Sequence, residues 1–361
     1  MNYSQYKVMD LFAGVGGLSY GFAHNDNFDI MLANEYEKDI ATAYLLNHPA
    51  VHMIQGDIRN ITEQHIQDVV GDTQIDLIVG GPPCQSYSTL GKRQYDDRAR
   101  LFEEYCRLLS IVKPQAFIFE NVSGLMSMQG GRLIETIQDR FRQLGYEIKS
   151  QLMNAVDYGV PQYRERVILV GTKGVNDFNF PQPTHGKGRQ PYVTVADALS
   201  DLPALNSGEE CNQYACAPKN EYQTFCRASG CNLTENTVPK NGEHLVRLMK
   251  ALPDGGTKND LPEAMRPKSG YGNTYAKMWW ERPAPTVTRN FATPSSSRCI
   301  HPRDSRAMTT REGARLQSFP DDYQFYGSRS MKNLEIGNAV PPLLSVALAS
   351  EMEKYFARRN N

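Results

Sequence analysis

Four short apolar runs, each followed by a glycine turn or an acidic side chain, constrain the fold of this chain more than any other feature. They cover residues 8–12, 30–33, 75–79 and 116–119. Runs of this length between polar stretches are typical of buried parallel strands in an α/β protein. The first run leads through AGVGG, residues 13–17, into a helix that we predict to begin near Leu18. The sequence therefore predicts a doubly wound, mostly parallel sheet.

The predicted strand ends carry residues that suit the binding of a nucleotide-like ligand. In doubly wound sheets, ligands bind beyond the carboxyl ends of the strands. Gly14, Gly16 and Gly17 allow close approach of the backbone, although a glycine turn alone is a weak pattern. About twenty residues further on, Glu35 occupies the place of an acceptor for ribose hydroxyls. Asp57 adds a carboxylate after a third strand end, and together these residues predict a cofactor that contains adenosine.

A cysteine follows the third apolar run, in the stretch GGPPCQSYS at residues 80–88. Pro82 and Pro83 fix φ and remove two backbone donors, which suits a rigid turn after a strand. Cys84 would then present its thiol at the same sheet edge as Glu120, which follows the fourth run. A lone cysteine is more often a small core residue than a nucleophile, so this interpretation depends on its neighbours.

Six sequence words occur in order along the chain: DLFAGVGGLSYGF at 10–22, PPCQ at 82–85, ENV at 120–122, QYRERV at 162–167, REGARLQSFP at 311–320 and GNAVPP at 337–342. Their order closely resembles that of the DNA cytosine-5 methyltransferases, of the bacterial restriction-modification type. The resemblance covers roughly residues 6–344. Residues 172–282 fall outside it, and in that family this variable part reads the target sequence.

The resemblance implies a Rossmann-like methyltransferase sheet and transfer of a methyl group from S-adenosyl-L-methionine to carbon 5 of a flipped-out cytosine in a specific duplex DNA sequence. Carbon 5 is a poor nucleophile, so Cys84 would first bond to carbon 6, which divides one difficult step into two. Glu120 would hold a proton against ring nitrogen N3. Arg164 would contact the cytosine carbonyl oxygen and steady Glu120, while Arg166 would brace the catalytic loop. No residue identifies itself as the base that removes the carbon-5 proton, and a water is an equal alternative.

The same resemblance implies a set of cofactor contacts. Phe12 would pack on the adenine, Glu35 would accept from the ribose hydroxyls, and Asp57 would accept from the adenine amino group. The other contacts that it implies are Gly14, Gly16, Gly17, Ile58, Pro82, Leu101, Asn338 and Val340. Because a sulfonium needs no pyrophosphate cradle, the glycine turn would approach the methionine part of the cofactor.

The polar stretch between Cys84 and Leu101 has no apolar periodicity and is predicted to be a mobile loop. A loop that begins at the nucleophile and carries basic residues would close over DNA and exclude water. The DNA contacts that we predict are Ser88, Lys92, Arg93 and Arg98 in this loop, together with Gln162. A solvated surface loop explains any single one of the basic residues equally well. Chemistry on a stacked base also requires its extrusion from the duplex.

The charges of the chain are nearly balanced, with a formal net charge of −1, which excludes a generally basic DNA-binding surface. Residues 240–282 contain eight Lys and Arg against five Asp and Glu, and residues 289–315 contain six arginines against two acidic residues. We therefore expect the DNA face to lie in this part. With no apparent signal peptide or long apolar stretch, we expect a cytoplasmic monomer that binds double-stranded DNA and no membrane. A cognate restriction endonuclease would act separately.

Seven cysteines without a secretion signal argue against a disulfide framework. Four of them, Cys211, Cys216, Cys226 and Cys231, form two Cx4C pairs that are nine residues apart. This spacing is at the edge of what structural zinc sites use. A tetrahedral zinc site and four unliganded cysteines are therefore alternative interpretations.

We expect two domains: a catalytic domain that binds S-adenosylmethionine, of residues 1–171 plus 321–361, and a smaller target-recognition domain of residues 172–320. Two other functions share part of the pattern. An RNA cytosine-5 methyltransferase has related motifs, but the variable segment of more than one hundred residues favours DNA. A catalytically inactive DNA-binding module would not need Cys84, Glu120 and the two arginines intact. A nicotinamide dehydrogenase would share the glycine turn but has no use for PPCQ or QYRERV.

Overall fold

The computed structural model describes residues 5–83, 97–230, 232–268 and 272–359, and for residues 97–100 the backbone alone. The chain divides into two compact units. The first unit contains Met1–Asn154, Glu165–Gln182 and Leu344–Asn361, and the second contains Ala155–Arg164 and Pro183–Leu343. These limits differ from the predicted domain boundaries, because residues 155–164 already belong to the second unit and the chain returns to the first at Leu344 rather than at Asp321.

The first unit is built on a seven-stranded sheet within the described residues. Its strands are β1 (Tyr6–Leu11), β2 (Phe28–Glu35), β3 (His52–Gln55), β4 (Leu77–Gly80), β5 (Ala116–Val122), β6 (Tyr146–Asn154) and β7 (Glu165–Lys173). Their spatial order is β3-β2-β1-β4-β5-β7-β6, in which β1 to β5 run parallel and β7 is antiparallel to both neighbours. The chain starts in the middle of the sheet and winds outward in both directions, which confirms the predicted doubly wound, mostly parallel sheet.

Helices connect the strands of the first unit: α1 (Tyr20–Ala23), α2 (Lys38–Asn47), α3 (Glu63–Val70), α4 (Asp97–Val112) and α5 (Arg132–Gln143). The helix after the glycine turn begins at Tyr20, slightly later than predicted, because residues 13–19 form the turn itself. Thr62 caps α3 by accepting from the His65 N–H, and Gly71 follows the helix with a φ of 57°. In α5, apolar positions four apart are buried, as expected of an amphipathic helix.

The second unit contains short helices and a small two-stranded sheet. Its helices are α6 (Val195–Leu199), α7 (Glu221–Cys226), α8 (Glu243–Ala251), α9 (Thr310–Leu316) and α10 (Arg329–Asn338), and its paired strands are β8 (Ala276–Lys277) and β9 (Arg298–Ile300). The last helix, α11 (Pro342–Arg359), begins in the second unit and continues into the first. Nowhere in the described ranges is a helix both long and apolar enough to cross a bilayer.

Aromatic side chains dominate the core of the first unit. One cluster contains Phe102 and Tyr105 of α4, Phe117 and Phe119 of β5, and Phe141 of α5. The ring centroids of Phe117 and Phe141 are 4.5 Å apart. Near β1, Phe356 of α11 stacks on Tyr6 at a centroid distance of 4.5 Å. This contact explains why the C-terminal helix belongs to the first unit, since it covers the sheet beside the N-terminal strand.

Buried ion pairs hold the second unit together. Arg315 contacts Asp201 at 2.5 Å and Asp321 at 2.7 Å, and all three side chains are fully buried. Arg306 contacts Glu312 at 2.6 Å. Burial opposes ionisation of Glu312, but Arg306 and His301 together with the Thr309 N–H outweigh burial and lower the pKa of this carboxyl to about 2. Three of the six arginines in residues 289–315, namely Arg306, Arg311 and Arg315, are thus internal, whereas Arg289 and Arg303 are exposed, so only part of the positive charge expected at a DNA face lies at the surface.

Candidate active site at the carboxyl edge of the sheet

The turn that precedes Cys84 lies directly against Glu120. β4 ends at Gly80, and a Cβ atom placed on Gly81 would lie 2.6 Å from Glu120 Oε2. Only glycine leaves this carboxylate in place. Asn121 adds a second connection, because its Nδ2 donates to the Pro82 carbonyl at 3.0 Å. The turn after β4 and Glu120 thus lie together as predicted, but Glu120 lies within β5, which extends to Val122, and Cys84 itself lies outside the described residues.

Arg166 holds the Glu120 carboxylate from the neighbouring strand. β7 pairs antiparallel with β5, and Arg166 stands opposite Val122. Residues two apart on a strand share a face, so Arg166 reaches diagonally to Glu120. The Arg166 Nε lies 2.7 Å from Glu120 Oε1, and the two side chains are 11% and 13% exposed. Such a shielded, charge-assisted contact fixes the direction of the carboxyl group.

The contact with Glu120 that was predicted for Arg164 is made by Arg166, and Arg164 makes hydrogen bonds within the second unit. β7 begins only at Glu165, so Arg164 precedes the strand that carries Arg166. The Arg164 side chain is buried in the second unit. Its guanidinium donates to the carbonyls of Val287, Gly337 and Ala339 at 2.8–2.9 Å. The role assigned to Arg164 beside Glu120 is filled by Arg166, and Arg164 instead binds backbone segments together.

Gln162 is likewise committed inside the second unit and is not presented to DNA, which corrects its predicted role. Its side chain is 0% exposed. The Nε2 group donates to the Leu316 carbonyl at 2.7 Å and to Gln317 Oε1 at 2.5 Å, while Oε1 accepts from the Val287 N–H at 2.8 Å. A buried amide whose nitrogen and oxygen both have hydrogen-bond partners stabilises the fold.

These hydrogen bonds bring parts of three sequence words together within the second unit: QYRERV, REGARLQSFP and GNAVPP. Gln317, which no pattern singled out, donates to the Ile336 carbonyl at 2.6 Å. A Cβ atom on Gly337 would lie 2.2 Å from the Arg289 backbone nitrogen, so the chain at Gly337 packs directly on the chain at Thr288 and Arg289. The segments around 162–164, 287–289, 316–317 and 336–339 therefore form one buried seam, which we call the polar seam.

The glycine turn and Glu35, which are both predicted to bind the cofactor, contact each other. The Gly14 N–H donates to Glu35 Oε2 at 2.9 Å, and the Glu37 N–H donates to Oε1 at 2.9 Å. Each carboxylate oxygen keeps acceptor capacity for a further donor. Burial raises the pKa of Glu35, and these backbone hydrogen bonds counteract it. Gly14 has a φ of +56°, and no atom lies within 4 Å of the place where its Cβ would be, so the turn is open there.

The other predicted cofactor residues have the following places in the first unit. Phe12 follows β1 with a φ of 55° and packs half-buried against the core. Asp57 is held by Arg59 at 2.5 Å, and the Arg59 side-chain hydrogen bond lowers the pKa of Asp57. Gly16 has a φ of +92°, Gly17, Ile58 and Pro82 are buried, and Leu101 lies half-buried in α4. In the second unit, Asn338 ends α10 with its side chain exposed, and Val340 is buried.

A buried aspartate beneath the glycine turn was not predicted. The Asp10 side chain is buried, and its Oδ2 accepts a hydrogen bond from the Ser19 hydroxyl, to which the Tyr44 hydroxyl donates at 3.2 Å. Burial raises the pKa of Asp10 to about 7, although the Ser19 hydrogen bond acts against it. This network joins β1, the turn and α2. The only signal in the sequence is the position of Asp10 at the start of the first sequence word.

The four-cysteine zinc site is not assembled in the part of the chain that the structure describes. In that part, no three His, Cys, Asp or Glu side chains come together as a ligand set. Cys216 is exposed, Cys211 is partly exposed and Cys226 is fully buried, while Cys231 lies outside the described residues. Burial raises the pKa of the Cys226 thiol to about 12, which disfavours the thiolate that zinc requires. The three described cysteines thus form no ligand set by themselves, and both alternatives stay predictions.

The predicted DNA-contacting loop lies largely outside the described residues. The structure does not describe Ser88, Lys92 and Arg93, nor the side chain of Arg98. The backbone at Arg98 belongs to α4, which begins at Asp97. The predicted loop is therefore shorter than expected at its C-terminal end, because a helix already includes residues 97–100.

Comparison with known proteins identifies the class of enzyme. A sequence model of the C-5 cytosine-specific DNA methylases matches residues 6–354. The type II methyltransferase M.DdeI of Desulfomicrobium norvegicum is 35% identical over 380 residues, which cover 98% of this chain and 90% of that protein. M1.HphI of Haemophilus parahaemolyticus, also a type II methyltransferase, is 33% identical over 96% of this chain and 86% of its own length.

Solved structures resemble this fold over nearly the whole chain. A DNA modification methyltransferase encoded within an Escherichia coli prophage superposes with a TM-score of 0.79 at 25% identity, covering 98% of this chain and all of the other. The methyltransferase EhMeth of Entamoeba histolytica superposes with a TM-score of 0.64 at 15% identity, covering 98% of this chain and 99% of its own, and shows the shared fold alone.

The sheet and its carboxyl-edge site define a Rossmann-like methyltransferase. More narrowly, the chain belongs to the C-5 cytosine-specific DNA methylases. The predicted activity of a DNA cytosine-5 methyltransferase is thereby confirmed, in preference to the RNA-modifying and inactive alternatives.

Proposed function

We propose that this chain transfers a methyl group from S-adenosylmethionine to carbon 5 of a cytosine that is flipped out of a specific duplex DNA sequence. The observation that carries this proposal is the contact of Glu120 with both Arg166 and the turn that leads into Cys84. An acid that is held by an arginine thus lies against Gly81, which is three residues before the proposed nucleophile. Preorganised groups of this kind stabilise charge that develops on a reacting ring.

The chemistry follows from the weak nucleophilicity of cytosine carbon 5. The Cys84 thiolate bonds to carbon 6, and the electron pair of the 5,6 double bond becomes available at carbon 5. Glu120 holds a proton at N3, which stabilises the electron-rich ring, and Arg166 keeps the carboxyl group aimed at it. After carbon 5 has taken the methyl group, it loses its proton to a base. The electron pair of that C–H bond re-forms the double bond and expels the thiolate.

The first unit has a glycine turn and an acidic acceptor that suit S-adenosylmethionine. This molecule supplies, when bound, an electrophilic methyl carbon on a sulfonium. The open space at Gly14 admits a ligand close to the backbone, and Glu35 offers acceptor oxygens for ribose hydroxyls. Phe12, Asp57 and Ile58 would surround the adenine. In the second unit, Asn338 and Val340 are predicted to contribute as well.

Base extrusion is required because a stacked cytosine cannot be reached by the thiolate, and it costs a few kcal/mol. The DNA contacts that compensate for it would come from the predicted loop around Ser88, Lys92 and Arg93. M.DdeI and M1.HphI are type II methyltransferases, which supports a role for this chain in protecting DNA from a restriction endonuclease. We propose that it acts as a monomer in the cytoplasm.

Base-resolution methylation sequencing tests the proposal directly. Plasmid DNA would be isolated from a methylation-deficient bacterial host that expresses this chain or its Cys84→Ala variant. Carbon-5 methylation confined to one short sequence, and absent with Cys84→Ala, is the expected result. The variant should retain S-adenosylmethionine binding, measured by calorimetry. Methylation by Cys84→Ala would overturn the covalent mechanism, and unmodified DNA from folded, cofactor-binding wild-type protein would overturn DNA as the substrate.

A further inference from the structure

A group of basic residues lies at the amino edge of the sheet in the first unit, at the opposite end of the strands from Glu120. We call this group the basic patch; its members are Lys113 after α4, Lys173 at the end of β7, and Arg358 and Arg359 at the end of α11. Lys113 and the two arginines are exposed, and Lys173 is partly exposed. Along β7, seven residues separate Lys173 from Arg166, the partner of Glu120. The patch is therefore about 23 Å from the proposed catalytic groups.

Backbone carbonyls fix the side chains of the basic patch. The Lys173 ammonium donates to the Lys113 carbonyl, which joins the end of β7 to the end of α4. The Arg359 Nη1 donates to the Val175 carbonyl at 3.2 Å, and a Cβ atom on Gly174 would lie 3.3 Å from Arg359 Nη2. The ends of α4 and α11 also attract cations through the helix dipole. These partners are neutral, so they orient the cations without cancelling their charge.

Acidic side chains offset only part of this charge. Arg358 Nε lies 3.7 Å from Asp177 Oδ2. Within the described ranges, the other three members of the patch form no ion pair, and the exposed Glu147 lies nearby on β6, opposite Thr172. Burial and the charge of Lys113 both lower the pKa of Lys173, as expected of a cation beside another cation. The patch thus retains positive charge that an external anion can neutralise.

The chemistry of the patch suits a phosphate backbone. It presents ammonium and guanidinium groups, which bind phosphates and position a duplex without reading its sequence. Duplex DNA carries one negative charge per about 1.7 Å of its axis, and cations that contact it release condensed counterions. A duplex that delivers a cytosine to Glu120 lies at the carboxyl edge of the sheet. DNA at the amino edge would therefore be a separate segment.

We propose that the basic patch binds the phosphate backbone of a second segment of DNA while the first segment occupies the site around Glu120. Contacts of this kind are independent of sequence and let a protein move along and between stretches of a long DNA molecule. The inference rests on the proposed function, since it requires that DNA is the substrate. It gives the first unit a nucleic-acid surface that is separate from the places of the cofactor and the target cytosine.

A covalently trapped complex tests the patch apart from the first binding site. The recognition sequence found by methylation sequencing would be synthesised as a duplex with fluorine in place of hydrogen at carbon 5 of the target cytosine. After methyl transfer this carbon has no proton to lose, so the double bond does not re-form and the Cys84 sulfur stays bonded to carbon 6. The purified adduct would then be titrated with a short fluorescent duplex that lacks the recognition sequence, at salt concentrations between about 50 and 200 mM.

Two double variants locate the second duplex. Lys113→Gln with Arg359→Gln, the patch variant, removes two exposed cations that form no ion pair with the described residues. Arg142→Gln with Lys354→Gln is the matched control, because it removes two exposed cations of the same unit that are paired with carboxylates at 2.7 and 2.8 Å. All four side chains are at the surface, and thermal unfolding would verify that both proteins are folded.

The trapped wild type and the trapped control should bind the second duplex, with an affinity that falls as salt is added. The patch variant should bind at least about tenfold more weakly at low salt, with a slope of log K against log salt that is less steep by about 2. No binding by the trapped wild type, or equal binding by the two variants, would overturn the patch alone. Stronger competition by polyglutamate than by unlabelled duplex would overturn DNA as its partner in favour of an acidic protein. A fluorinated duplex that forms no adduct with the wild type would overturn the proposed function, and the patch inference with it.

Discussion

The Arg166 Nε lies 2.7 Å from Glu120 Oε1, between two strands that run antiparallel, and both side chains are shielded from solvent. Arg164, two residues earlier, uses its guanidinium on backbone carbonyls of the second unit. Two arginines of one sequence word therefore have separable functions, of which one concerns the proposed chemistry and the other the fold.

The substitutions Arg166→Met and Arg164→Met should separate these functions. Arg166→Met leaves Glu120 without its partner, and we expect single-turnover methylation to fall by about 10²-fold or more with little change in thermal unfolding. Arg164→Met leaves buried carbonyls unpaired and should lower the free energy of unfolding by about 2–4 kcal/mol. Urea unfolding and single-turnover rates on the same preparations check both expectations. An inactive Arg164→Met protein with wild-type stability would contradict the assignment.

Gly81→Ala should impair catalysis by displacing Glu120. The added methyl group would lie 2.6 Å from Glu120 Oε2, closer than a real Cβ contact, so the carboxylate must move. We expect at least about a tenfold loss of kcat. Gly124→Ala is the control, because the nearest atom to its Cβ would be a Met128 methyl at 3.8 Å. Steady-state methylation assays on both variants measure the effect, and equal rates would show that Gly81 does not control the position of Glu120.

Gly14→Ala should weaken cofactor binding beyond its effect on stability. Gly14 and Gly71 have φ values of +56° and +57°, and neither has an atom within 4 Å of its Cβ position. Alanine at either site should be strained, at a cost of about 1–3 kcal/mol. Only Gly14 borders the predicted cofactor cradle, so only Gly14→Ala should lose affinity for S-adenosylmethionine, by about tenfold or more. Calorimetric titration compares the two, and equal affinities would remove Gly14 from the binding site.

Asp10 should make the stability of the protein fall as the pH rises. Burial raises the pKa of Asp10 from 3.8 to about 7, so between these values the folded protein binds more protons than the unfolded chain. Stability is then lost as the pH rises through this range, because the folded state must either keep the proton or ionise a buried carboxyl. Ser19, Tyr44 and Glu35 are the groups that influence it.

Asp10→Asn removes the titrating group while keeping an oxygen that can accept from Ser19. We expect the free energy of unfolding of the variant, relative to wild type, to increase by a few kcal/mol between pH 5 and pH 8. Urea titrations at the two pH values give this difference, in which the other titrating groups largely cancel. A difference that does not change with pH would mean that Asp10 is ionised throughout.

The sequence predicted the parts of the site that depend on strand ends. Each apolar run became a parallel strand, and strand ends in a parallel sheet meet at one edge, so the closeness of Glu120 to the Cys84 turn and of Glu35 to Gly14 followed from local patterns. These contacts join residues that are far apart in the chain. The position of each residue nevertheless depends only on the strand that it belongs to or follows.

The remaining features depend on contacts that no local pattern contains. The contact with Glu120 was assigned to Arg164 instead of Arg166 because the sequence does not show where the strand begins, which is at Glu165. Gln162 resembles an exposed polar residue in sequence but is buried because amide and carbonyl partners from distant segments satisfy it. Likewise, the internal pairing of Arg315 with Asp201 and Asp321 is invisible to a count of charges.

The polar seam sets the cut points for chimeric enzymes. At Gly337 the chain leaves no room for even a methyl group beside Arg289, and Arg164 donates to the carbonyls of Val287 and Gly337. If only residues 172–282 are replaced by those of a relative, every residue of the polar seam still comes from the recipient enzyme. A graft that extends past Val287 brings a foreign backbone against Gly337, and it should be transplanted together with the donor's counterparts of residues 162–164 and 336–339.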